Sequence, residues 1–155
     1  MAEIKVRNWA DTYASLLEPT ILRPHLDPKR QLAYLHESLT RPDAVFLVAH
    51  EPSGAVTAFA LTYLAQEPEP WLESLHVVSE FRGSGVGTLL MRTMASRIRA
   101  RGYNSMRLGV VAGNVAASRF YERLGGEMVG LEPASWAPGV WHELYRWPDL
   151  AALAG

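Results

Sequence analysis

Apolar and polar positions change their spacing several times along the chain, and each change predicts an element. Ile4, Val6 and Asn8 alternate with Lys5 and Arg7, a period of two that predicts a short first strand. Helical spacing follows over Ala10–Leu17 and Pro28–Leu39. In the second, Leu32, Leu35, His36 and Leu39 share a face, with Asp27 as cap and Pro28 at the first helical position. Glu18–Asp27, broken by Pro19 and Pro24, predicts irregular chain. Ala44–His50 and Ala55–Ala65 read as strands joined by the turn residues Pro52-Ser53-Gly54. Glu67-Pro68-Glu69-Pro70 interrupts, and Trp71–Val78 is a third strand. A glycine-rich stretch, Arg82–Gly87, leads into a helix over Thr88–Arg101 with Leu90, Met91, Met94, Ala95 and Ile98 as its apolar stripe. Met106–Val111 is a strand, and Asn114 caps a helix whose inner face is Ala117, Phe120, Tyr121 and Leu124. Glu127–Leu131 and His142–Trp147 close the chain as strands around a Pro133–Gly139 loop.

This order predicts an α/β (α+β) fold, a mixed sheet with helices packed on it. The 155 residues are 48% hydrophobic and 20% charged, which fits a single globular domain over residues 1–155. A net charge of −1 argues against a nucleic-acid partner. With no cysteine, disulfides, thiolate metal sites and a cysteine nucleophile are excluded. Met1–Trp9 has no apolar signal core, and no apolar run is long enough to span a membrane, so a cytoplasmic protein without membrane contact is expected. His25, His36, His50, His76 and His142 are scattered without ligand spacing, so no metal site is expected.

The sharpest feature is Arg82-Gly83-Ser84-Gly85-Val86-Gly87-Thr88, between a strand and a helix. Glycines there allow positive φ and close backbone approach, and the unpaired amides opening the helix form a seat for a phosphate or pyrophosphate. A tight turn without a ligand fits the same residues. A dinucleotide loop fails because Thr88 stands where the third glycine belongs, and the Gly-Lys-Ser/Thr of a triphosphatase loop is absent.

Leu75-His76-Val77-Val78-Ser79-Glu80-Phe81-Arg82-Gly83-Ser84-Gly85-Val86-Gly87 resembles the acetyl-CoA signature of the GNAT N-acetyltransferase superfamily, a strand ending Leu-x-Val followed by Arg/Gln-x-x-Gly-x-Gly/Ala. Ser79 stands where that family often has proline. Asn114-Val115-Ala116-Ala117-Ser118-Arg119-Phe120-Tyr121-Glu122-Arg123-Leu124-Gly125 is similar to its Asn-x-x-Ala-x-x-Phe-Tyr-x-x-x-Gly helix, with Gly126 replacing a frequent phenylalanine. The likeness covers residues 44–147 well and the N-terminal third in outline only.

The resemblance implies a mostly antiparallel sheet of six to seven strands flanked by about four helices, with a splayed strand pair. It implies acetyl-CoA as acyl donor and an N-acetyltransferase acting on a small-molecule or peptide amine; a CoA-binding module without catalysis is the alternative. The pantetheine arm would lie against the backbone of Leu75, His76 and Val77. The pyrophosphate would sit on Arg82, Gly83, Ser84, Gly85, Val86, Gly87 and Thr88, with Asn114 and Ser118 nearby. No cysteine is present to carry the acyl group, which favours direct attack in a ternary complex. Deprotonating a lysine-like amine at pH 7 costs about 4.6 kcal/mol, so a base is needed. Glu73 is the candidate base, although a solvent-facing strand glutamate looks the same. Strand parity puts His76 on the opposite face from Glu73. Tyr121 is the candidate acid for the departing thiol; without the resemblance it reads as core. Dimers are common in such families, so a homodimer is one expectation. The acceptor would meet Leu16–Leu39, Glu67–Pro70 and Pro133–Trp141. Glu67, Glu69 and Glu132 could attract a cationic amine there, although plain solvated loop charges look the same, and Trp136, Trp141 and Trp147 read as pocket, core or dimer seam.

Overall fold

The computed structural model describes residues 1–155. Six strands form one sheet in the order β1-β2-β3-β4-β6-β5, from β1 (Ala44–His50), β2 (Val56–Tyr63), β3 (Trp71–Val77), β4 (Met106–Val111), β5 (Glu127–Pro133) and β6 (Trp141–Trp147). Every neighbouring pair is antiparallel except β3–β4. Helix α4 (Val86–Arg99) and helix α5 (Val115–Arg123) cover one face; α1 (Ala2–Tyr13), α2 (Pro19–Leu22) and α3 (Pro28–Thr40) lie on the other. A four-residue α6 (Ala151–Ala154) closes the chain. No helix is long and apolar enough to cross a membrane.

The main core joins Met91, Met94, Ala95 and Ile98 of α4 to Ala58, Ala60, Leu72, Met106, Leu108 and Tyr145 of the sheet. This is the apolar stripe expected of α4, buried where it removes most area from water. A smaller cluster on the opposite face joins Leu17, Leu22, Val111, Ala137 and Val140.

The first strand expected from alternation is instead the start of α1. Five residues cannot separate the two periods, and the outer edge of β1 is left without a further strand. The helix turns Lys5 and Asn8, three residues apart, inward. Glu18–Asp27, expected irregular, holds α2 and a 3-10 turn over Arg23–Leu26. Both place proline in the first turn, where its missing N–H is harmless.

Candidate functional site

Strands β3 and β4 are paired at a single position, Trp71 with Arg107. Beyond it they diverge, leaving the backbone of Leu75 and Val77 at the wall of a cleft of about 810 Å³. Glu69 pins the closed end: its carboxylate accepts from Arg146 Nε at 2.7 Å and lies 3.8 Å from Arg107. The expectation that Glu69 is a solvated loop charge is therefore corrected.

The cleft is lined by Leu75, His76, Val77, Arg82, Gly83, Gly85, Gly87, Thr88, Asn114, Phe120 and Tyr121, so two separate motifs meet in one place. Gly85 caps α4 at φ +92°, a conformation that an L side chain resists. No side chain caps this helix, and the amides of Gly85 to Thr88 have no backbone acceptor. The helix therefore presents free donors and the positive end of its dipole to the cleft. Asn114 Oδ1 accepts from Ala117 N at 3.3 Å, so it caps α5 and lines the cleft as well.

Three expected contributors lie differently. Ser118 turns away from the cleft and donates to Glu143 Oε2 of β6 at 2.6 Å. Ser84 donates to the Phe81 carbonyl at 2.7 Å, closing its own loop. The Val86 side chain packs against the core, leaving only its amide for a ligand. Arg82 lines the cleft, but its guanidinium donates to Asn8 Oδ1 at 2.7 Å. Asn8 was not anticipated, because residues 4–8 read as a strand. Its amide donates to the Val77 carbonyl at 3.0 Å and meets His76 Nδ1 at 3.4 Å, tying α1 to the splayed strand.

Tyr121 stands in the cleft, with rings of Phe120, Tyr145 and Trp147 around it. Burial, with Tyr13 nearby, pushes its ionisation well above the usual tyrosine range, so it keeps its proton at any working pH.

Glu73 is at a bulge: the β2–β3 register steps from Thr62–Leu72 to Leu61–Ser74. The extra residue reverses the parity that separated Glu73 from His76. Leu72, Leu75 and Val77 all pack on the α4 side, while Glu73 meets α3 and His76 meets α1. Glu73 and His76 thus share the face opposite the main core, which corrects the sequence expectation. Glu73 accepts from Tyr34 Oη at 2.8 Å and from Trp71 Nε1 at 3.1 Å, and its side chain is exposed. Burial lowers His76 to about 3, so it is neutral.

On the same face Trp9 stacks on His25 at 3.9 Å, and Trp136 meets both edge-on. Trp136 Nε1 donates to His142 Nε2 at 3.2 Å, and the His142 ring lies across Gly109, where an added Cβ would come within 2.6 Å of Nδ1. Trp136 therefore lines this side, Trp147 is core at 2% exposed, and Trp141 is exposed on β6.

The model of the acetyltransferase (GNAT) family matches residues 6–126. The chain is 31% identical over 112 residues to L-methionine sulfoximine/L-methionine sulfone acetyltransferase of Pseudomonas aeruginosa, covering 69% of this chain and 62% of that protein. It is 33% identical over 93 residues to streptothricin acetyltransferase of Streptomyces lavendulae, covering 59% and 49%. The chain thus spans about half to three-fifths of the length of these relatives. Among solved structures, PaiA N-acetyltransferase of Thermoplasma acidophilum in complex with coenzyme A superposes with a TM-score of 0.73 at 18% identity, over 94% of this chain and 88% of that one.

Proposed function

Because the chain belongs to the acetyltransferase (GNAT) family, we propose that it moves an acetyl group from acetyl-CoA to a primary amine by direct attack in a ternary complex. The splay between β3 and β4, opening beside an uncapped helix N-terminus, is the observation that carries this reading. The residues fit the donor: the free amides of Gly85–Thr88 and the rim cation Arg82 suit a pyrophosphate, and the backbone of Leu75 and Val77 suits an extended amide-bearing arm. Acetyl-CoA supplies an activated thioester acyl carbon.

The main chain near Val77 orients the carbonyl to be attacked. Glu73, held by Tyr34 and Trp71, takes the proton that the amine must lose. The cleft runs from the α4–α5 side, where the glycine loop lies, through the splay to Asn8 and Tyr13 of α1, and Glu73 lies on that α1–α3 face, so the reactants meet at the splay. A C–N bond forms, the C–S bond breaks, and Tyr121 holds its proton toward the departing sulfur. Its raised ionisation suits a hydrogen-bond donor and excludes it as a base. The sulfur takes its proton from Tyr121, which solvent reprotonates, and Glu73 returns the amine's proton to solvent, so the products are an amide and free CoA thiol.

Thiol release with a panel of amines tests this. Wild type is expected to turn over at least one amine, and Tyr121→Phe to lower kcat about 100-fold while changing the KM for acetyl-CoA far less. Equal kcat in the variant removes Tyr121 from the chemistry. Tight CoA binding without turnover of any amine favours the non-catalytic alternative.

A further inference from the structure

Lys5 is an unusual residue to find inside α1, where it is 7% exposed. Its ammonium lies 3.9 Å from the centroid of the Tyr34 ring and makes neither an ion pair nor a hydrogen bond. The carboxylate of Glu73 acts on it electrostatically, favouring its charged form. Tyr34 keeps the two apart: its face receives the ammonium, and its hydroxyl donates to Glu73 Oε1 at 2.8 Å. Tyr34 is itself fixed from behind, since Tyr63 Oη stands 3.3 Å from its hydroxyl and Ser38 donates to its carbonyl at 2.8 Å. A cation on the face of the Tyr34 ring and an anion on its hydroxyl are thus held on one side of the sheet without a direct salt bridge between them.

A buried ammonium without a counter-ion is costly, and folds rarely keep one without use. Burial lowers Lys5 to about 8, which still leaves it mostly charged at neutral pH. The other titratable groups around it do not supply the missing anion. His76 and His25 are held neutral by burial, Arg30 adds positive charge near His25, and Glu73 is committed to Tyr34 and Trp71. Around the splay this face holds few carboxylates, Glu73 and the Glu132 that His142 senses, which suits a polycationic acceptor poorly.

We propose that the acceptor is an α-amino acid whose carboxylate is taken by Lys5 while its amine rests on Glu73. In an α-amino acid the two charged groups sit on one carbon, so their receptors must lie near one another without pairing, and Lys5 and Glu73 are both held by the one Tyr34 side chain without a salt bridge between them. The proposal rests on the acetyl-transfer reading above. It adds a carboxylate-binding residue from α1, and it explains why Tyr34 separates two charges that would otherwise collapse into a salt bridge.

The test pairs each common L-amino acid with its amino alcohol, which keeps the amine and lacks the carboxylate, and reads thiol release from acetyl-CoA. Wild type is expected to use at least one acid with a kcat/KM at least 10-fold above that of its alcohol. In Lys5→Met this ratio is expected to fall at least 10-fold, through a higher KM for the acid. Equal use of acid and alcohol by wild type, turnover of alcohols alone, or an unchanged ratio in Lys5→Met would overturn the proposal. The wild-type ratio decides the matter even if Lys5→Met does not fold. Failure of every amine, acids, alcohols and simple alkylamines alike, would instead count against acetyl transfer itself.

Discussion

Single side chains in this protein act through what lies behind them. His76 illustrates this: its ring is enclosed between Asn8 and Phe59, and burial lowers it from 6.5 to about 3. Between those two pH values the unfolded chain binds a proton that the folded chain refuses. Stability therefore falls as pH drops from 6.5 toward 3, by up to about 1.4 kcal/mol per pH unit for one such group. Burial lowers His25 and His142 as well, so they add to the same acid-side loss. Urea unfolding at stepped pH is expected to show a shallower acid slope in His76→Gln than in wild type; parallel slopes would mean that His76 is already charged in the fold. At this scale the sequence was only partly readable. At Gly126, where the resembled motif often has phenylalanine, an added Cβ would come within 2.7 Å of the Trp147 indole, a packing relation between positions 21 residues apart that no local pattern carries.

The elements were easiest to read where local chemistry decides. Asp27 caps α3 by accepting from Lys29 N at 2.9 Å, as its place before Pro28 implied. Asp27→Ala is expected to lower stability by about 1 kcal/mol, seen as a lower urea midpoint with an unchanged slope. An unchanged midpoint would show that packing alone holds α3. The α4 stripe and the Asn114 cap were legible for the same reason, since 3.6-residue periodicity and capping chemistry are local. Helix α1 was not legible, because its inward-facing positions Lys5 and Asn8 are polar and leave no apolar stripe of helical period. The β3 bulge was also invisible. Adding one residue there leaves no mark in composition, but it decides that Glu73 and His76 face the same way.

At the scale of the whole molecule, the sheet is a partition with one opening. The cleft passes through it, lined by Gly85, Thr88 and Tyr121 on one side and by Asn8, Tyr13 and His76 on the other, where the Lys5–Glu73–Tyr34 group also lies. The opening needs a pinned end, which Glu69 supplies by tying the approach to β3 to Arg107 of β4 and Arg146 of β6. Glu69→Gln is expected to lower stability by about 1–3 kcal/mol, because the partly buried arginines lose their counter-charge. Thermal melts with no shift would mean that the strands hold their divergence without it. The two motifs that meet at the cleft were readable from the chain; the second face was not, since its residues come from α1, α3, β3, the 3-10 turn and the β5–β6 loop. The most direct test of the account is a calorimetric titration of acetyl-CoA into wild type and Gly85→Asp. Binding to wild type, and its loss when a carboxylate and a strained backbone are placed at the uncapped helix N-terminus, is the expected result. Absence of binding to wild type, or equal binding to both, would contradict the assignment of the glycine loop as the donor's seat.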